Sequence, residues 1–381
     1  MPFTIPLPLY FVDSQKSFEE NKETYGLSGL IYKHFPDEGL YVLKYNKNKA
    51  DMNNAAIGMC RGLVICDKTQ KIVCVPPRRA LGFPHFFHLA TNQEPQYITC
   101  EEFIEGTNVN VFYHNDTWKI STRSTVGANT SYDSDKSFRE LFHECLDFDL
   151  NLLDKEFCYN FVFQHPDNRQ IIPIESTKLY LVGGYKITAD SIEEYTADYI
   201  NTNQNIEFNI PQKFNYDTTK MALNEIADIA RNLSYTEHGI MFKTEQFRSK
   251  ILSDKYTFVR ALKGNTNKNN LMERYLLVMK NKMIKQYLIY FPEVKEQFQE
   301  YTRIVNEIID NLHGYYYNCF IDKSIKHSEM PFVYKPLAFA IHKHFLETKV
   351  KTTRKIVDEY IKSRDVQQLL FIINNKDRDS E

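Results

Sequence analysis

Phe103-Ile104-Glu105-Gly106-Thr107-Asn108-Val109-Asn110-Val111-Phe112-Tyr113 is the stretch from which the fold can be read. A carboxylate and a glycine precede a run that places Val109, Val111 and Tyr113 on one face, the period of two expected of a half-buried strand. His114-Asn115-Asp116-Thr117 is a cluster of turn formers, and Trp118 to Arg123 follows as a returning strand. The segment predicts a β-hairpin opened by an acidic residue and a glycine.

Short strands surround that hairpin on both sides. Leu40 to Tyr45 and Gly62 to Val75 are apolar runs, the second broken at Asp67-Lys68. Downstream, Phe157 to Phe163, a turn at His165-Pro166-Asp167-Asn168 and Ile171 to Ile174 predict a second hairpin. Leu179 to Ile187 and Gly239 to Thr244 are further strands, and Met221 to Asn232 is a helix with Leu223, Ile226 and Ile229 turned inward.

Beyond about Lys263 the apolar period changes from two to about 3.6. Leu271, Tyr275, Leu276, Met279 and Met283 mark one helix, stopped by Pro292. Val294, Phe298, Tyr301, Val305, Ile308 and Leu312 mark a second, which Gly314 is placed to end. A third starts near Thr352 or Thr353 and carries Ile356, Tyr360, Ile361, Leu369 and Ile373. The expected class is α+β: antiparallel sheets plus helices over 1–262, then an all-α domain over 263–381, linked through Lys263-Gly264-Asn265-Thr266-Asn267-Lys268-Asn269-Asn270.

With 43% hydrophobic and 14% aromatic residues the chain has ample material for a packed interior. Its first residues form no basic-then-apolar leader, and no apolar run approaches the roughly 18 residues needed to span a bilayer, so a soluble, cytoplasmic protein without a membrane partner is expected. The seven cysteines are scattered without a Cys-x-x-Cys pair, and His85 and His88 suggest no third ligand, so no metal site is expected. Charge is uneven. Gln246 to Glu381 holds 24 Lys/Arg against 16 Asp/Glu, while the whole chain is at −2. A basic C-terminal part suits a phosphate backbone, although solvated helix faces have the same composition. Tyr315-Tyr316-Tyr317 with Phe320 reads as core or partner surface ahead of base stacking. Pro76-Pro77-Arg78-Arg79 reads as a solvated turn ahead of a phosphate contact.

Five segments, in order, resemble the nucleotidyltransferase motifs of the phage-type RNA ligases, the tRNA-repair family typified by the ligase of T-even bacteriophages. Cys60-Arg61-Gly62-Leu63-Val64 and His85-Phe86-Phe87-His88-Leu89 match the segments upstream of the catalytic motif. That motif, Lys-x-Asp-Gly, falls on Phe103-Ile104-Glu105-Gly106, and Ser121-Thr122-Arg123-Ser124 closes its hairpin. The third motif, a Glu before Phe-Val, falls on Asn160-Phe161-Val162; anchored on Pro166 instead, its Glu position is Val162. The fourth, Glu-Gly, falls on His238-Gly239-Ile240-Met241, and the fifth, Lys-x-Lys-Ser-Asp-x-Tyr, on Lys250-Ile251-Leu252-Ser253-Asp254-Lys255-Tyr256. The resemblance implies a ligase adenylation domain of ATP-grasp-like kind followed by a helical domain.

Such a ligase starts with a lysine amine attacking the α-phosphate of ATP, helped by a divalent ion and by cations that neutralise the transition state. Phe103 has no lone pair for that attack. Asn160 and His238 stand where the family has glutamates for ribose and metal, and Leu252 stands where it has a phosphate-binding lysine. Shifting the fourth motif by one residue would restore Glu237. By resemblance Arg61, Glu105, Arg123 and Lys250 are the retained candidates for a nucleotide or RNA phosphate. The expected function is an RNA ligase-like pseudoenzyme that binds RNA or a nucleotide. The alternatives are an active ATP-dependent ligase with a relocated nucleophile, needing ATP and Mg2+, and a scaffold for a protein partner. Richness in Asn, Lys, Ile and Tyr points to an AT-rich genome such as that of a large DNA virus.

Overall fold

A computed structural model describes the chain except residues 1–2, 7–8, 10, 92–97, 133, 205, 218–221, 266–269, 377 and 379–381. It divides into two compact units, Met1–Phe258 and Val259–Glu381. Thr266 to Asn269 of the expected linker lie outside the described residues, as does Met221 at the start of the expected helix.

The first unit is built on three antiparallel sheets. The largest runs, from edge to edge, Phe3–Pro6, Ser191–Tyr195, Lys178–Ile187, Phe157–Gln164, Thr107–His114 and Thr117–Ser121. Its inner strands alternate as their sequences require. Val109, Val111, Tyr159, Phe161 and Phe163 face a core covered by the helices Phe138–Glu144 and Ala197–Asn203. Phe112, Cys158 and Tyr185 face the opposite way, into a core shared with the sheet Leu30–Phe35, Leu40–Tyr45, Arg61–Cys66 and Ile72–Cys74. The third sheet, Lys213–Phe214, Thr99–Glu102, Gly239–Lys243 and Arg248–Leu252, packs under the helices Phe83–Ala90 and Leu223–Asn232. The mixed α+β class with antiparallel sheets is therefore the one expected.

Ile171 to Ile174 is not a strand. The strand Phe157–Gln164 pairs instead with Lys178–Ile187, Leu179 lying opposite Phe163. The Ile171 and Ile172 amides are committed elsewhere, donating to the Glu105 carboxylate at 3.1 and 2.9 Å. In the helix Leu223–Asn232, Ala227 and Ala230 are buried while Ile229 is half-buried.

The second unit is helical: Leu271–Lys280, Ile284–Tyr290, Lys295–Tyr316, Lys335–Thr348, Arg354–Ser363 and Val366–Asn375. Gly314 does not end its helix. The apolar stripe continues through the buried Leu312, Tyr316 and Cys319, so the helix runs to Tyr316 and on into a π-helical turn at Tyr317–Ile321. The helix expected over Leu271 to Met283 is two pieces, broken where Lys282 adopts φ 57°. The last one is also two, with Thr353 and Asp365 each capping a helix N-terminus through its side chain.

Candidate functional site

Gly106 and Gly239 place the backbones that build the site. Gly106 has φ 153°, and a Cβ there would lie 2.4 Å from the Phe163 carbonyl oxygen; Gly239 has the same φ, and a Cβ would lie 2.1 Å from that of Ile251. Only glycine permits both the torsion and the approach. The loop ahead of the first hairpin is then held by side chains of the following segment. Gln164 Nε2 donates to the Glu105 carbonyl at 2.8 Å, Gln170 Nε2 to that of Gly106 at 3.0 Å, and Asn168 Nδ2 to Thr107 Oγ1 at 2.8 Å.

Glu105 is 2% exposed. Besides the Ile171 and Ile172 amides, its carboxylate accepts from the Tyr256 hydroxyl at 2.6 Å. It clasps the first hairpin to the segment after the third motif and to the fifth. Three donors on a buried carboxylate tie three segments together at this point.

Phe103, which the resemblance places at the nucleophile's position, lies in a stack. Its ring is 4.2 Å from that of His238, nearly parallel at 24°. His238 in turn is 4.3 Å from the ring of Tyr256, and Lys250 Nζ sits 4.3 Å above Phe103. The backbone fixes these neighbours, since the Phe103 amide donates to the Gly239 carbonyl and the Ser253 amide to that of His238. Leu252 pairs opposite Gly239 in the adjoining ladder. Phe103 and His238 thus pack ring on ring with Lys250 over the Phe103 face, while Leu252 lies in the ladder beside them.

Asn160 lies apart from that stack. It is 1% exposed, and its Nδ2 donates to the Val75 carbonyl at 3.0 Å and to Asn110 Oδ1 at 3.1 Å. Val162, its alternative in the third motif, is buried with Cγ1 2.7 Å from where a Gly106 Cβ would stand. Mg2+ requires several hard oxygens at ideal geometry, and an amide tied to Val75, a valine and a stacked imidazole do not fit it. Among the described residues no group of three or more His, Cys, Asp or Glu could hold a metal ion.

Arg61 and Arg123 form a second group. Gly62, at φ 118° on the strand Arg61–Cys66, lets the bend after Thr117–Ser121 approach, so that a Cβ there would lie 2.8 Å from Arg123 Cα. Burial, with Arg123 nearby, lowers the pKa of the half-buried Arg61 guanidinium. Its Nη1 donates to the Arg78 carbonyl at 3.4 Å, and its buried Nε has no hydrogen-bond partner among the described residues. Arg248 joins them, its pKa likewise lowered by burial and then by Arg61 and Arg78, and its Nε also buried without a partner. Arg78 is neutralised by Glu194 at 2.5 Å. Cations half out of water with orphaned donors fit an anion such as a phosphate. Arg248 was missed in the sequence because it lies just ahead of the fifth motif and carries no spacing signal of its own.

No protein-family model matches the chain. It is 25% identical over 218 residues, 46% of this chain and 48% of the other, to an RNA ligase of Rhodothermus phage RM378. To the immediate-early protein ICP-46 homolog of Invertebrate iridescent virus 6 it is 24% identical over 249 residues, 59% of this chain and 54% of the other. The chain therefore spans about half the length of these viral relatives. A solved structure from Aquifex aeolicus, assigned as an ATP-dependent DNA ligase, is 16% identical with TM-score 0.44, covering 75% of this chain and 77% of that one. The relationship is RNA ligase-like, with viral-type relatives.

Proposed function

We propose that the chain is an RNA ligase-like pseudoenzyme that holds an RNA or nucleotide phosphate without forming a lysyl-adenylate. The observation that carries this reading is the Phe103 stack. A lysyl-adenylate needs a nitrogen lone pair aimed at an α-phosphate. At this position stands a phenyl ring packed on His238 and covered by Lys250. Glu105, the carboxylate kept beside it, is engaged by Ile171, Ile172 and Tyr256. The binding half of the proposal rests on Arg61, Arg123 and Arg248, with Lys250 at the rim of the stack.

Incubation with radiolabelled ATP and Mg2+, followed by denaturing electrophoresis, tests the first half. No label should stay on the protein; an acid-labile adenylate would overturn the reading in favour of a ligase with a relocated nucleophile. Fluorescence anisotropy with 5′-phosphorylated RNA and with ATP tests the second. Binding at a low salt of about 50 mM that weakens as salt rises is expected. Absence of both RNA and ATP binding there would make a protein-interaction scaffold the better account.

A further inference from the structure

The helical unit carries an aromatic surface that its own core does not use. Tyr316 is buried and Tyr315 packs on Tyr334, so these two belong to the interior. The π-helical turn that follows puts Tyr317 and Ile321 on the outside, 51% and 52% exposed. Phe320, from the same turn, stacks on His342 at 4.2 Å with the rings 23° from parallel, and meets His327 at 4.9 Å and Phe339 at 5.4 Å. His327 and Phe339 close the triangle at 5.1 Å, and Phe339 is 47% exposed. Phe320, half-buried, is also backed by the buried Tyr316, whereas His327 and Phe339 are exposed and present ring faces to which another planar ring can add. Insertions of this π type are frequent at functional sites.

Charge identifies the occupant. Tyr317 to Lys355 holds eight Lys/Arg against three Asp/Glu. Lys335, Phe339 and Lys343 stand at i, i+4 and i+8 on the helix Lys335–Thr348, so a cation lies one turn to either side of the exposed ring. A hydrophobic protein partner would not call for this excess of cations, whereas an unpaired nucleic acid needs both ring faces and backbone neutralisation. We infer that the surface formed by Phe320, His327 and Phe339, flanked by Lys335 and Lys343, binds single-stranded RNA by stacking its bases. The inference rests on the RNA-binding reading above and specifies which form of RNA is taken and where.

The test uses the full chain, a fluorescent oligoadenylate and an RNA duplex of the same length. Phe339→Ala should weaken oligoadenylate binding about tenfold or more, the usual contribution of a stacked base, and leave duplex binding unchanged. Phe339→Trp should retain it. The thermal melt should not move for either variant, since Phe339 is half in solvent. Lys335→Gln with Lys343→Gln should flatten the salt dependence. Wild-type affinity in Phe339→Ala would overturn this surface, as would RNA binding lost only in Arg61→Ala, which leaves the proposed function intact. A Phe339→Ala variant that changes sedimentation and not RNA binding would make the patch a contact between copies and overturn it too. A full chain that binds no RNA at all would remove both the inference and the RNA reading beneath it.

Discussion

If Phe103 stands in the nucleophile's place, as proposed, replacing it alone should restore little. Phe103→Lys returns an amine to the opening of the hairpin, but into a space where His238 stacks and Lys250 already supplies a cation. A second ammonium beside Lys250 repels the first, and Asn160 or Val162 still offers no carboxylate for a metal. Each missing transition-state contact costs roughly 10²–10³ in rate, so the single variant is expected to form no detectable adenylate in the gel assay. Glu105 makes a prediction of the opposite kind, about stability. Glu105→Gln would point an amide N–H at donors that now meet an acceptor, the Ile171 and Ile172 amides and the Tyr256 hydroxyl. A loss of about 1–3 kcal/mol is expected from urea unfolding. Tyr256→Phe should lose less, because it removes one donor and leaves the other two in place.

At the scale of elements, glycines divide into those the backbone requires and those it tolerates. Gly239→Ala would set a Cβ 2.1 Å from the Ile251 carbonyl at a φ that alanine rarely adopts, in the terminal pair of its ladder with Leu252. It should destabilise the first unit by more than about 2 kcal/mol. Gly314 is the reverse case. It lies inside the helix Lys295–Tyr316, and a Cβ would meet nothing within 4 Å. Gly314→Ala should therefore stabilise the helical unit by about 0.5–1 kcal/mol, through a less flexible unfolded chain and better helix propensity. Thermal melts of the two variants, shifting in opposite directions, check both.

Across the whole molecule, charge is unevenly divided. Val259–Glu381 holds 21 Lys/Arg against 15 Asp/Glu in a chain of net charge −2, so the first unit is acidic overall, with Arg61, Arg123 and Arg248 gathered as a local group of cations. RNA binding should therefore weaken steeply with salt, each contacted phosphate adding about 0.7–0.9 to the log–log slope. Arg61→Ala should lower that slope by about one phosphate, and it should weaken binding of a 5′-phosphorylated end more than of internal RNA. Equal loss for both ends and interior would place Arg61 outside the phosphate site.

The α+β class and the order of the motifs were legible in the sequence because both are local. Val109, Val111 and Tyr113 alternate with the period of a strand, and turn residues at His114 to Thr117 close the hairpin without help from distant contacts. That Phe103 lacks a lone pair is likewise a property of one residue. Where local and distant demands compete, only the folded chain decides. Ile171 and Ile172 have the composition of a strand, yet their amides go to Glu105, 66 and 67 residues away in sequence. Gly314 has the composition of a helix end, yet burial of Tyr316 and Cys319 carries the helix past it. The same holds for the site. The sequence shows four altered positions one at a time, whereas the packing of Phe103 on His238 beneath Lys250 exists only where three separate segments meet, because ring contacts depend on separation in space and not along the chain.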